Sequence, residues 1–353
     1  MPVEMHQTVI ERSGGRRLAL YASSPRNYRH FEGLPDVDGS AAHMRQHPLT
    51  GEWVGYSAAR QNRTFLPNVA DCPLCAMQDG GGMTDVPVDD YEVAIFSNRF
   101  SALSPTPVAP PALSVETLPG TGVCEVICYS ADHHASLSSV GPDRLALLAS
   151  AIGARRAELL ENPDISYVLP FENRGREIGV TIDHPHGQIY ALSHLPERVQ
   201  VAANRFRHGN PLENLRETVP AHLVIAQNAV GVAFAPEWAR YPFEVWVVPH
   251  RKVASPAELT ANETFGFAEL LHEAAVKLDG VFDGPMPLTM SWQTAPRGYA
   301  DCYHFHCVFQ PLKRSKSKMK YLASVEQFTG FFLVDLPPER AADISNGQAQ
   351  PDD

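Results

Sequence analysis

The sequence predicts an α+β fold in which two copies of one strand–helix–strand unit lie side by side in a single sheet, with helices packed on it. Two observations carry this expectation. The order of elements repeats, and histidines recur at matching places, 51 residues from His133 to His184 and 54 from His250 to His304. Repetition at a nearly fixed spacing marks duplicated supersecondary units. Apolar residues at helical spacing alternate with short runs rich in β-branched residues, which separates helices from strands within each copy.

The elements follow in order. The first 45 residues are mixed, with a short strand pair expected at 8–10 and 17–22. Five prolines between Pro105 and Pro119 read as a surface loop. The first unit then runs through a strand GVCEVICYS (122–130), Asp132-His133-His134, a helix over 143–161, a strand, and His184-Pro185-His186-Gly187-Gln188. The second runs through FEVWVVP (243–249), His250, the turn SPAEL (255–259), a helix over 261–282, the strand-like PLTMSWQ (287–293), then His304-Phe305-His306 and Gln310. The polar end SNGQAQPDD (345–353) is expected to be disordered.

Composition removes several classes of function. A chain of 353 residues can bury a full core, and 44% hydrophobic with 20% charged residues is usual for a globular protein. A formal charge of −11 argues against a nucleic-acid binder, which needs a basic surface. Neither a secretory signal nor a run long enough to cross a membrane is visible, so a cytoplasmic location with reduced thiols is expected.

Two constellations carry chemistry. The β-branched run Ile178, Val180, Thr181, Ile182 leads into the His-Pro-His-Gly-Gln stretch. A strand there puts His184, His186 and Gln188 on one face, a costly row of polar groups unless they have partners. The second is Cys72-Pro73-Leu74-Cys75. Its spacing fits one side of a zinc site, or a turn holding two small buried hydrophobes. Asp71, His133 and His184 favour the metal, because a closed site takes four ligands. The remaining cysteines, Cys124, Cys128, Cys302 and Cys307, read as core residues of strands.

Phe171-Glu172-Asn173-Arg174-Gly175, Gly179 and His184-Pro185-His186-Gly187-Gln188 together resemble the signature of the class I galactose-1-phosphate uridylyltransferases, a branch of the histidine-triad superfamily. HPLTGEWVGYSAARQNR (47–63), Asp71–Cys75, Phe96–Phe100 and Ser130–His133 fall in the same order as in that family. The resemblance implies two histidine-triad-like repeats forming one mixed, largely antiparallel sheet with helices packed on it. It divides the chain into an N-terminal segment (1–45), a first repeat with metal site and nucleophile (46–200), a second repeat with a hexose-binding segment (201–344) and the tail (345–353). It implies exchange of UMP between UDP-glucose and galactose 1-phosphate, with His186 as nucleophile and Gln188 as donor to a phosphoryl oxygen. Cys72, Cys75, His133 and His184 become ligands of one structural zinc. Arg60, Arg63, Asn98, Asn173 and Thr181 match positions near the nucleotide or its phosphates, and Lys320 and Glu326 match hexose-contacting positions. A homodimer with shared active sites is implied, with UDP-glucose, UDP-galactose and hexose 1-phosphates as its ligands.

Departures from the family pattern stand beside the matches. Thr181 replaces a serine, Asp183 precedes His184 where proline is common, and Val325 stands where tyrosine is common. Some relatives hold a second metal on one glutamate and three histidines. Here His304 and His306 match two ligands, while Ala202 and Gln293 take the other places, so an empty or weak second site is expected. A related nucleotidyltransferase or nucleoside-diphosphate-sugar phosphorylase with another base or sugar is the alternative, and a silent nucleotide-binding relative comes last.

Overall fold

The computed structural model of the chain describes residues 4–12, 15–35, 42–62 and 64–351. The expected N-terminal strand pair is a hairpin of β1 (His6–Glu11) and β2 (Arg17–Ala22). β3 (His43–Gln46) and β4 (Trp53–Tyr56) form a second hairpin. Then come β5 (Val93–Ser97), β6 (Thr117–Pro119), β7 (Gly122–Cys128), α1 (Gly141–Glu161), β8 (Tyr167–Arg174) and β9 (His186–Leu192). The second half holds α2 (Glu197–His208), α3 (Leu215–Thr218), β10 (Val224–Gln227), β11 (Gly231–Phe234), β12 (Val245–Pro249) and α4 (Ala261–Asp279). It closes with β13 (Leu288–Gln293), β14 (His306–Pro311), α5 (Ser324–Thr329) and α6 (Pro338–Ser345).

Eleven strands make one sheet in the order β1-β2-β5-β7-β9-β8-β13-β14-β12-β11-β10. The first unit supplies β5-β7-β9-β8 and the second supplies β11-β12-β14-β13, in mirrored order. They meet where β8 pairs antiparallel with β13, Phe171 opposite Ser291 and Asn173 opposite Thr289. This seam is a local two-fold relating the two units. The ladders between these strands are antiparallel, and a parallel contact occurs at the isolated bridge Ser104–Thr121. β3, β4 and β6 form a separate small sheet.

Helices α1 and α4 cover one face. Leu145, Leu148 and Ile152 of α1 and Phe267, Leu271 and Ala274 of α4 pack on Ile127, Val168, Ile189 and Trp292. Helix α4 starts where Thr260 and Glu263 form a capping box, and it stops before Gly280, short of the expected Phe282. On the opposite face, Leu18, Leu74, Val88, Tyr91 and Phe96 form a smaller cluster over the first unit. Ala203 and Phe206 of α2 cover Val232, Phe234 and Tyr303 of the second.

Three expectations need correction. The run Ile178–Ile182 is not a strand; β9 begins at His186. Gly175 (φ 108°) and Gly179 (φ 79°) turn the chain, Pro185 offers no N–H, and Ile182 packs against the cluster on the open face instead. The Pro105–Pro119 loop ends as β6, which pairs with β3 through Met44–Leu118. The end of the chain packs against the second unit: Ser345 is buried, and Asn346 Nδ2 donates to the Val224 carbonyl (2.9 Å). Residues 352 and 353 lie outside the described part.

Candidate active site and metal centre

Cys72, Cys75, His133 and His184 converge. Their Sγ and ring nitrogen atoms all lie within 4.8 Å of one another, and Cys75 Sγ is 3.4 Å from Nδ1 of both His133 and His184. Metal bonds of about 2.0–2.3 Å to N and S on a tetrahedron place ligand atoms roughly 3.5 Å apart, so the set fits a closed four-ligand centre. The Nε2–H of His184 is shared between the Ser130 carbonyl (2.9 Å) and the Tyr91 phenol oxygen (3.0 Å). Tyr91 in turn donates to the Leu74 carbonyl (2.7 Å). This second layer presents Nδ1 of His184 unprotonated to the cysteines. The two thiols share one proton: the bond from Cys75 pulls Cys72 far below the usual thiol range, and the same bond pushes Cys75 up. Asp71 is exposed and takes no part; Asp132 accepts from the His134 backbone N–H (2.9 Å), so that pair serves the local turn. Cys302 lies in a turn rather than a strand, its thiol donating to the Tyr299 carbonyl.

The cluster anchors the chain immediately before β9, and β9 carries His186 and Gln188. Along it His186, Gln188 and Tyr190 are half-buried on the open face, while Gly187, Ile189 and Ala191 are buried toward the helices. His184 precedes the strand and turns to the metal cluster, so the expected row of three is His186 and Gln188 alone. Gly187 is required: a Cβ there would meet the Phe171 carbonyl oxygen at 2.8 Å, within the β8–β9 ladder.

His186 has a fixed tautomer. Its Nδ1–H donates to the His184 carbonyl (2.8 Å), which leaves Nε2 with a free lone pair. Burial lowers its pKa from the ordinary 6.5, opposed by that same hydrogen bond. The ring is therefore neutral near pH 7. The Gln188 amide makes no side-chain hydrogen bond among the described residues, so both its donors are available to a ligand.

His186 and Gln188 line a narrow cleft of about 80 Å³ together with Arg60, Asn98, Arg99 and Thr181. Arg60 donates to Tyr190 Oη (2.9 Å), and the Leu66 N–H donates to the Thr181 carbonyl (2.7 Å), tying these segments together. Asn98 Oδ1 accepts from the Phe100 N–H (2.9 Å). Asn173 lines an adjoining cavity that also reaches His186. Arg99 was not singled out from the sequence, although it stands in the matched run Phe96–Phe100. Its guanidinium approaches Asp85 at 3.6 Å, and its Nε is buried without a hydrogen-bond partner among the described residues. Arg63 lies outside the described residues. Lys320 and Glu326 do not reach this cleft: they are buried and pair with each other, and Lys320 Nζ also donates to the Leu333 carbonyl (2.8 Å).

The second unit repeats the geometry of His186, and among the described residues it shows no cluster like that of Cys72, Cys75, His133 and His184. His306 Nδ1–H donates to the His304 carbonyl (2.8 Å), and burial pushes the His306 pKa down to about 4. Both nitrogens of His304 are engaged, Nε2–H with the Pro249 carbonyl (2.8 Å) and Nδ1 with the Asn210 amide (3.1 Å). Where Gln188 stands two residues after His186, Val308 stands two residues after His306.

Comparison with known sequences decides the family. The profile described as galactose-1-phosphate uridyl transferase, N-terminal domain, matches residues 34–196, and the profile of the C-terminal domain matches 199–343. The chain belongs to the galactose-1-phosphate uridylyltransferase family. A member from Thermotoga maritima is 34% identical over 313 residues, covering 85% of this chain and 96% of its own length. One from Streptomyces lividans is 30% identical, covering 96% of this chain and 97% of its own. A solved uridylyltransferase superposes with a TM-score of 0.74 at 27% identity, covering 86% of this chain and 97% of its own. An ADP-glucose phosphorylase from Arabidopsis thaliana shares the fold, with a TM-score of 0.62 at 22% identity.

Proposed function

We propose that the chain exchanges UMP between UDP-glucose and galactose 1-phosphate through a uridylyl-histidine intermediate on His186. The observation that carries the reading is the locked, neutral imidazole of His186 beside an unpartnered Gln188 amide, in a cleft lined by Arg60 and Arg99. Nε2 attacks the α-phosphorus of UDP-glucose; a P–N bond forms, the P–O bond to the β-phosphate breaks, and glucose 1-phosphate leaves. A phosphate oxygen of galactose 1-phosphate then attacks the same phosphorus, and the imidazole leaves neutral with UDP-galactose formed. Splitting the displacement in two lets one pocket serve both sugar phosphates in turn. Gln188 donates to the phosphoryl oxygen as charge moves onto it, and such a donor matters most in the transition state.

Zinc is the metal we assign to Cys72, Cys75, His133 and His184, where it would stiffen the approach to β9 without touching substrate. No second metal is assigned to His304 and His306. A cleft of about 80 Å³ takes a phosphoryl group, so base and sugar extend beyond it. Lys320 and Glu326 stand away from that cleft, in a segment whose Tyr321, Phe328 and Phe331 are 65%, 85% and 65% exposed. Exposed aromatic side chains within one short segment fit a partner, and a homodimer in which this segment completes the neighbouring site accounts for both observations. Among the described residues no helix is long and apolar enough to cross a membrane, and a cytoplasmic location suits the substrates.

The reading is tested by exchange of labelled glucose 1-phosphate into UDP-glucose with no galactose 1-phosphate present. Exchange with UDP-glucose, and little with ADP- or GDP-glucose, is expected. Exchange that requires the second sugar phosphate, or that prefers another base, contradicts it.

A further inference from the structure

The second unit holds a cavity of about 580 Å³ at the place where the local two-fold puts the counterpart of the His186 cleft. His306 forms part of its wall, stacked on Trp246 with ring centroids 4.8 Å apart and planes 12° from parallel. Trp246 is fixed by Nε1–H donation to Glu244 (2.8 Å). Trp238 packs edge-on against Trp246 at 5.6 Å and is half exposed at the rim. Arg198 and Arg205 come from one face of α2, with Ala202 between them, and Arg240 comes from the far side. The Arg198 and Arg205 guanidiniums are exposed and make no ion pair among the described residues.

This lining selects by charge and shape. Ala202 and Gln293 both lie on this cavity and offer neither carboxylate nor imidazole to a cation. Three guanidiniums repel a divalent cation and attract an anion. Exposed indole offers a stacking face for a flat ring, and the Gln310 amide offers donor and acceptor to a base edge. The volume falls within the usual range for a small-ligand site. With Val308 two residues after His306, β14 carries no counterpart of Gln188, and the Gln293 amide opposite His306 already donates to Ser291 Oγ (2.7 Å). We propose that this cavity is a second, non-catalytic nucleotide site, with phosphates on Arg198, Arg205 and Arg240 and the base against Trp238.

Equilibrium dialysis of the full chain with labelled UMP and with AMP, in wild type, Arg198→Ala/Arg205→Ala and Trp238→Ala, tests it. Wild type is expected to show two sites per chain. The arginine pair should weaken one of them at least about tenfold, as loss of charge-assisted hydrogen bonds implies. Trp238→Ala should weaken that same site several-fold. The uridylyl adduct on His186 should persist in all three proteins. Both arginines and Trp238 lie at the surface, so these variants keep the fold, and Arg205→Glu supplies a stronger charge test. A single wild-type site that disappears in the arginine variant supports the proposal even if UMP fails to bind at His186. A single site that survives Arg198→Ala/Arg205→Ala and Arg205→Glu overturns it. Inorganic phosphate binding as tightly as the nucleotides, with Trp238→Ala silent, overturns recognition of the base.

Discussion

Glu172 is a buried carboxylate on the helix side of the sheet, opposite Gly187 in the β8–β9 ladder, and it is 5% exposed. Tyr129 Oη donates to it (3.0 Å). Burial raises its carboxyl from 4.5 to about 7, a shift that Arg174 and Tyr129 oppose without cancelling. Between those two values the folded chain holds a proton that the unfolded chain has released. Stability therefore falls as pH rises through this window, and the loss is complete above the folded value. At about 1.4 kcal/mol per pKa unit, the full loss is about 3 kcal/mol. Glu172→Gln keeps an acceptor for Tyr129 and never ionises. Urea unfolding should find the two proteins close at about pH 5 and the variant more stable by up to about 3 kcal/mol at about pH 8. A difference that does not change with pH, or a variant less stable at the higher pH, would refute the assignment of a buried, proton-holding carboxyl.

Other expectations bear on the site. Gln188→Ala should slow uridylyl transfer by about 10²–10³, the usual cost of one transition-state donor, while nucleotide affinity changes far less; equal losses in binding and rate would contradict the role. Because burial lowers the His186 pKa, the acid limb of kcat/KM should fall below 6.5, with activity lost as pH drops through it; a limb above that value would mean a different titrating group. Elemental analysis should find one zinc per chain in the wild type and less in Cys75→Ser, with a lower thermal midpoint that a chelator reproduces in the wild type. Two metals per chain would overturn the reading of His304 and His306.

Much of this architecture is legible in the sequence because duplication leaves a spacing, and spacing survives where local propensity is ambiguous. The Cys/His cluster illustrates it: Cys72 and Cys75 lie together in sequence, and His133 and His184 end and begin matching places of one unit. The loop before β9 was illegible because its β-branched residues suit a strand, while Gly175, Gly179 and Pro185 decide otherwise. Arg99 was missed because nothing marks a guanidinium with a buried, unpartnered Nε until Asp85 and the cleft are placed around it. Lys320 and Glu326 could be matched by position, but that they pair with each other follows only from the packing of α5. The cavity beside His306 was invisible for the same reason: α2 must first fold across β14 before Arg198 and Arg205 face one histidine.

The central claim is covalent, and intact-protein mass tests it directly. Mixing the protein with UDP-glucose alone should add one uridylyl group per chain, acid-labile and absent from His186→Ala, and galactose 1-phosphate should discharge it. A wild-type mass that does not change, or an adduct that persists in His186→Ala, would contradict the account.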